Sequence, residues 1–291
     1  MFEQLGLIGC GLMGGSFALA LRRAGLVRRV VGYSQSATTL QQALQLGVID
    51  EAATSAELAT AGADLVLIAV PVAATEEALR GIRNSVHPEM LIMDVGSTKR
   101  DVVDAARRAL AHRIGNFVPA HPIAGKETAG VASADVNLYA GRKVILTPLQ
   151  ETRPALVQQA EAVWAALGCR VTQMTAEQHD SALACVSHLP HLLGFAMMNA
   201  VAAQPAGSQY LALAGPGFRD FTRIAASDPA VWRDIMMANA DELLAQSRIF
   251  RHQLQTLEAL VASGDAVALE RLIAQASLTR TQWGTGNTST P

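Results

Sequence analysis

The chain has 291 residues, half of them hydrophobic and 16% charged, with a formal net charge of −2. That length leaves room for two domains of ordinary size, each with its own core, and the composition excludes a chain too polar to fold. A near-neutral balance without any block of like charges excludes the basic face that a nucleic-acid partner requires.

Leu5–Ile8 is an apolar run of strand length that leads into Gly9-Cys10-Gly11-Leu12-Met13-Gly14, with a helix-like stretch rich in Ala and Leu from Phe17 to Ala24. In such a strand–loop–helix the first glycine makes the tight turn. The second lets the backbone approach a pyrophosphate, and the third lets the helix lie on the strand. The open N–H groups at the helix start, with its dipole, hold the phosphates. Gly9, Gly11, Leu12, Met13 and Gly14 are therefore expected to bind a dinucleotide.

Residues 29–33 read as a second strand and residues 36–46 as its helix. Ser34 stands about twenty residues past the last fingerprint glycine, where NAD-binding folds place an acid on the ribose 2′-hydroxyl. Ser34-Gln35-Ser36 would not repel a 2′-phosphate and offers it donors. The sequence thus favours NADP, with NAD the alternative and no arginine fixed as the phosphate clamp. Arg22, Arg23, Arg28 and Arg29 are the cations near enough in sequence to serve.

Residues 64–71 and 90–95 are continuous apolar runs of the kind a parallel strand buried on both faces requires. Residues 117–122 and 143–148 complete the strand set. Alternating strands and helices give right-handed crossovers, and hence an α/β fold with a doubly wound, Rossmann-type parallel sheet. Ligands in such sheets sit beyond the carboxyl ends of the strands, which directs attention to Pro71, to Gly96-Ser97-Thr98-Lys99 and to His121-Pro122.

Near residue 173 the pattern changes to helices only. Residues 176–203 are apolar nearly all round, as a buried helix is, with Pro190 expected to kink it. Gly207-Ser208 and Gly215-Pro216-Gly217 interrupt the helices, and Asp228-Pro229 reads as the cap and first turn of another. From Met236 to Val261, apolar residues recur by fours and threes. Such a seam packs against a helix of a second subunit or against the core of its own chain, and the sequence leaves both open. A last helix is expected over residues 266–276. The domain organisation read from this is 1–172 for dinucleotide binding, 173–283 for a helical substrate and dimerisation domain, and 284–291 as a disordered tail.

No uninterrupted apolar stretch approaches the roughly 18 residues of a membrane span, and a first strand at about Leu5 leaves no room for a signal peptide. Cys10, Cys169 and Cys185 show neither metal-ligand spacing nor an even count, so reduced cytoplasm is the expected location, with Cys185 a small core residue.

Four patterns outside the glycine loop complete the picture: Asp94-Val95-Gly96-Ser97-Thr98-Lys99, His121-Pro122-Ile123-Ala124-Gly125, Ser187-His188-Leu189-Pro190-His191 and Gly217-Phe218-Arg219-Asp220-Phe221-Thr222-Arg223. In this order they resemble the prephenate/arogenate dehydrogenases, also called cyclohexadienyl dehydrogenases, over nearly the whole chain. The resemblance implies a nucleotide-binding domain followed by a helical dimerisation domain. It also implies an oxidative decarboxylation: hydride passes to the nicotinamide, carbon dioxide leaves, and 4-hydroxyphenylpyruvate or tyrosine results.

By the same resemblance His121 is the catalytic histidine, and neutral imidazole suits it to accept the substrate's hydroxyl proton. Ser97 is the serine that hydrogen-bonds that hydroxyl. By its local sequence alone Ser97 would cap the helix that follows Lys99, and it could serve both roles. Arg223 is the arginine that grips a substrate carboxylate with its planar fork. His179, His191 and Trp232 match positions lining the substrate pocket, although core packing would account for each, as it would for His188. Two other readings compete: a catalytically silent dinucleotide sensor, and a β-hydroxyacid dehydrogenase. The latter relies on a lysine in its helical half, and from Gln173 onward this chain has none.

Overall fold

In the apolar strands of the central sheet, neighbouring residues serve opposite faces, and the two resulting cores position everything else. Leu65 and Leu67 pack into one core, Val66 and Ile68 into the other; Leu91 and Met93 divide from Ile92 in the same way. The computed structural model describes residues 1–126 and 128–284.

Strands β1 (Phe2–Ile8), β2 (Val27–Tyr33), β3 (Glu51–Ala52), β4 (Leu65–Ile68), β5 (Leu91–Asp94) and β6 (Phe117–Val118) form one sheet in the order β3-β2-β1-β4-β5-β6. All its pairings are parallel. The order reverses between β1 and β4, which is where a crevice for a ligand opens in a doubly wound sheet. Strands β7 (Ala120–Pro122), β8 (Lys143–Leu146) and β9 (Arg170–Gln173) form a second sheet, β7 antiparallel to β8 and β8 parallel to β9.

The single strand expected over residues 117–122 is therefore two strands in two sheets. Pro119 lies at the break and cannot donate to a ladder. Its carbonyl accepts instead from Thr147 N–H.

The helices are α1 (Leu12–Arg23), α2 (Ala37–Gln45), α3 (Ala56–Thr60), α4 (Thr75–Ile82), α5 (Arg100–Leu110) and α6 (Pro154–Ala166), then α7 (Ala176–Leu183), α8 (Leu189–Ala202), α9 (Gly207–Ala212), α10 (Pro216–Thr222), α11 (Pro229–Ala238), α12 (Ala240–Ser263) and α13 (Ala266–Gly284). Helix α1 begins five residues before the expected start. Ser36 caps α2, and Asp228 caps α11 by accepting from Ala230 and Val231 N–H, with Pro229 in the first turn.

Residues 176–203 are not the buried helix expected. Helices α7 and α8 are joined by a π-helical turn over Ala184–His188, and only Leu189 and Gly194 of α8 are buried. Pro190, which cannot continue the ladder, lies in the first turn of α8, two residues past the end of the π-helical turn. By length and composition Ala176–Ala202 would pass for a membrane span. Yet its inner face carries buried His179, Asp180 and His188, all hydrogen-bonded within the chain. Cys185, expected in the core, is exposed on the π turn.

The described residues form two compact units, one up to Leu243 and the other from Leu244 onward. The expected seam is interrupted at buried Asn239, between α11 and α12. Its Leu243 is buried, whereas Phe250, Leu254 and Val261 are exposed. In the second unit the Arg280 guanidinium lies over the Trp283 ring at 4.9 Å. Helix α13 runs past the expected end at residue 276 to Gly284; the remainder of the expected disordered tail, 285–291, lies outside the described residues.

Candidate active site

At the reversal of strand order a cavity of about 590 Å³ opens. Gly11, Leu12, Met13, Pro71, Ser97, His121, His191, Arg223 and Trp232 all line it. Of the expected site residues, Gly9, Gly14, Ser34 and His179 lie outside that lining.

The glycine loop has the shape a dinucleotide needs. Gly9 has φ +99°, and a Cβ there would stand 2.3 Å from the carbonyl oxygen of Ala69. At Gly14 a Cβ would meet the Gly9 carbonyl at 2.1 Å and the Leu7 side chain at 3.0 Å, so this residue sets the packing of α1 on β1. Around Gly11 nothing lies within 4 Å of that point, which leaves an open approach to the backbone. Gly11 is also the N-cap of α1 and no side chain caps it, so the first amides of α1 remain available to an anion. These residues fit a dinucleotide pyrophosphate.

At the far end of β2, the Ser34 hydroxyl accepts from Ser36 N–H at 3.3 Å, and its own proton remains to be donated. The four nearby arginines all have partners: Arg22 with Asp50 at 2.6 Å, Arg23 with Asn137 Oδ1 at 2.5 Å, Arg28 with Glu3 at 2.9 Å, and Arg29 with Glu51. None stands uncommitted as a 2′-phosphate clamp.

Ser97 and His121 are tied together from beneath by Asp94, at the carboxyl end of β5. Asp94 Oδ2 accepts from Gly96 N–H, next to Ser97, at 2.8 Å, and Oδ1 accepts from Ala120 N–H, next to His121, at 2.9 Å. Lys99 donates to the same carboxylate at 2.5 Å, and neither member of this ion pair is exposed. Ser97 does not cap α5. Asp180, from α7, does so instead: its Oδ1 accepts from Lys99 N–H at 2.8 Å and its Oδ2 from Arg100 N–H at 2.9 Å.

Behind His121 runs a buried chain. His121 Nδ1 lies 2.8 Å from His179 Nε2, and His179 Nδ1 lies 2.7 Å from Asp180 Oδ1. His179, expected to line the pocket, is fully buried one residue deeper, against His121. Burial pushes His121 well below the usual histidine range, and His179, Lys99 and His188 push the same way. Burial also lowers His179, against the opposing pull of Asp180. In Asp180 burial favours the neutral acid, but the bonds from His179, Arg100 and Lys99 more than offset it and leave the carboxyl below its ordinary value.

On the helical side, Trp232 stacks on His191 with centroids 3.4 Å apart and planes 19° from parallel. His191 Nδ1 donates to the Ser187 carbonyl at 2.9 Å, which directs its other ring nitrogen away from that carbonyl. His188 lies deeper, pushed to about 4 chiefly by burial, and takes a bond from Asn239. Asn239 Nδ2 also donates to the Asp180 carbonyl, and its Oδ1 accepts from Arg100.

Asp94 and Lys99 stand in a motif that the sequence singles out but gives no role, and Asp180 and Asn239 were not anticipated as parts of this site. Asp94 had a signal, a lone acid closing an apolar strand run. So had Asp180, an acid beside a histidine on an apolar helix. Asn239 had none.

A parallel sheet in the order 3-2-1-4-5-6, an open glycine turn at a helix start and a neutral histidine facing the same cavity define a dinucleotide-binding protein of the dehydrogenase class. More narrowly, the chain belongs to the prephenate dehydrogenase family. Its nucleotide-binding-domain model matches residues 17–173 and its dimerization-domain model residues 175–275. The chain is 36% identical to prephenate dehydrogenase of Bacillus subtilis, covering 93% of this chain and 73% of that protein. It is 33% identical to cyclohexadienyl dehydrogenase of Zymomonas mobilis, covering 91% and 90%. The crystal structure of Aquifex aeolicus prephenate dehydrogenase, in complex with hydroxyphenyl propionate and NAD+, superposes with a TM-score of 0.89 at 34% identity, covering 97% of this chain and 98% of that one.

Proposed function

We propose that the protein is a nicotinamide-dinucleotide-dependent dehydrogenase of tyrosine biosynthesis that oxidatively decarboxylates prephenate or arogenate. The observation that carries this reading is the meeting of Gly11, Ser97, His121 and Arg223 on one cavity, which gives a dinucleotide cradle, a base and a carboxylate partner a common space. A silent sensor has no use for the last three. Curated relatives carrying the names prephenate and cyclohexadienyl dehydrogenase support it further.

In this reading Arg223 pairs with a substrate carboxylate and fixes the ring over the cavity floor. Trp232 and His191, stacked on each other, form a flat wall for that ring. Ser97 hydrogen-bonds the ring hydroxyl, and His121 takes its proton on Nε2 as the carbonyl develops. The nicotinamide supplies the hydride acceptor. As the ring carboxylate departs as carbon dioxide, the electron pair of the broken bond passes through the ring to the carbonyl oxygen, which recovers the proton held by His121, and the ring becomes an aromatic phenol. Burial holds His121 below its ordinary value, so its ring is neutral at pH 7 and has a lone pair to offer the hydroxyl proton.

For the cofactor, Gly9, Gly11, Leu12, Met13, Gly14, Pro71 and Ser97 hold the pyrophosphate and nicotinamide ends, and Ser34 faces the adenosine ribose. We infer that NADP is used at least as well as NAD. Ser34 removes the usual repulsion, and the exposed arginine pairs nearby are of a kind worth about 0–1 kcal/mol, little against a 2′-phosphate. The exposed Phe250, Leu254 and Val261 favour a second copy of the chain as the partner of this seam, in keeping with the dimerization-domain match. Residues 1–172 and 173–283 are the working division of labour, and the cytoplasm is the proposed location. Steady-state rates with prephenate and arogenate, each with NAD and NADP, test the reading. Turnover of either substrate supports it, and turnover of neither contradicts it.

A further inference from the structure

The chain behind His121 dictates which of its ring nitrogens carries the proton. Asp180 lies within α7, and three donors besides His179 surround its carboxylate: Lys99 N–H at 2.8 Å, Arg100 N–H at 2.9 Å and Arg100 Nε–H at 3.4 Å. A group so placed is an acceptor on both oxygens. His179 Nδ1, 2.7 Å from Oδ1, must then be protonated, since a bare ring nitrogen there would oppose one lone pair to another. A neutral imidazole protonated on Nδ1 presents a lone pair on Nε2. His179 Nε2 is therefore the acceptor at the 2.8 Å contact with His121, and His121 Nδ1 the donor. His121 is left with its lone pair on Nε2, the remaining ring nitrogen of a residue that lines the cavity.

We propose that His179 and Asp180, neither of which lines the cavity, are positioning residues that fix His121 in the Nδ1–H tautomer and so aim its Nε2 lone pair at the substrate hydroxyl. This rests on the reading of His121 as the base. When the proton arrives on Nε2, the ring keeps its Nδ1–H bond to His179, and the Asp180 carboxylate stands behind the new positive charge. The same carboxylate caps α5, the helix that follows Ser97 and Lys99, so one acid orients both halves of the base–serine pair. The arrangement follows the general rule that the hydrogen bond on one ring nitrogen sets the state of the other.

Asparagine cannot replace Asp180. Whichever way its amide turns, the NH2 group faces either Arg100 N–H or Lys99 N–H, donor against donor. Glutamine can replace His179, because its NH2 can donate to Asp180 while its carbonyl accepts from His121 Nδ1–H. Leucine can do neither.

The test has two arms. The full-length protein, carrying ¹⁵N-labelled histidine, is examined by NMR at pH 8, with the His121→Asn variant identifying the His121 signals. His121 and His179 both protonated on Nδ1 is the expected result, and His121 protonated on Nε2 overturns the proposal. In the second arm kcat is measured at saturating substrate and dinucleotide. His179→Gln should stay within about fivefold of wild type, whereas His179→Leu should fall roughly a hundredfold or more, as expected when a catalytic imidazole is held in the wrong tautomer. Equal kcat values for the two variants overturn it. If His179→Leu does not fold, the wild-type tautomer still decides. An active His121→Asn enzyme would remove the base reading without touching the tautomer result, so the two failures are distinguishable.

Discussion

Asp94 and Lys99 form a fully buried ion pair whose carboxylate also holds the backbone next to Ser97 and next to His121. The pair links the end of β5 to the start of β7, so the two sheets meet at the proposed chemistry. Breaking it from the cationic side leaves an unpaired buried carboxylate. Lys99→Met should lower the free energy of unfolding by about 3–5 kcal/mol, the usual cost of stranding one member of such a pair. Urea denaturation measures this, and a loss below about 1 kcal/mol would place the pair's role elsewhere.

Two glycines of the same loop should fail in different ways. Gly14→Ala drives a Cβ to 2.1 Å from the Gly9 carbonyl, so it should lower Tm measurably. Gly11→Ala meets nothing within 4 Å and should leave Tm within about 2 °C of wild type, since nothing in the fold is displaced. Its methyl group occupies the open approach to the helix start, and dinucleotide affinity should fall about tenfold or more. Thermal unfolding and a fluorescence titration, run on both variants, separate the two effects. A Gly11→Ala protein with normal dinucleotide affinity would refute the cradle.

Ser34→Asp should move the kcat/KM ratio towards NAD by roughly tenfold, since one unpaired charge contact is worth about 1.4 kcal/mol. Measuring both cofactors on wild type and variant checks it. A ratio that does not move would show that Ser34 is not the discriminator.

Stability should fall in mild acid. His121, His179, His188 and His191 all have native values below 6.5, so on unfolding each returns to the ordinary range and binds a proton. The unfolded state therefore binds more protons than the native state between about 6.5 and the lowered native values, of which His188 reaches about 4. The unfolding free energy rises with pH across that window and flattens above it. Denaturation curves from pH 4.5 to 8 should show this slope. A flat profile, or one that climbs towards acid, would contradict neutral burial of these rings.

Much of the fold was legible in the sequence, because it is written in local patterns. Two-sided apolar strands such as Leu65–Ile68 and Leu91–Asp94, the glycine turn and the caps at Ser36 and Asp228 each depend on residues a few positions apart. Long-range choices were not legible. Pro119 reads as part of one strand until the second sheet is seen to claim Ala120 through β8. Ser97 reads as a cap until Asp180, eighty residues on, supplies one to Lys99 and Arg100. The exposure of α8 and Cys185 inverts a hydropathy argument that cannot tell a core face from one left open in a single chain.

His121 is the proposed base in a dinucleotide-dependent oxidation at this cavity. The most direct measurement is kcat for His121→Asn beside its dinucleotide affinity, with the cyclohexadienyl substrate that the wild type turns over. A fall of about 10²–10⁴ in kcat, the usual range for losing a general base, with dinucleotide affinity within about twofold of wild type, is the predicted result. A variant that retains more than about half of the wild-type kcat would contradict it.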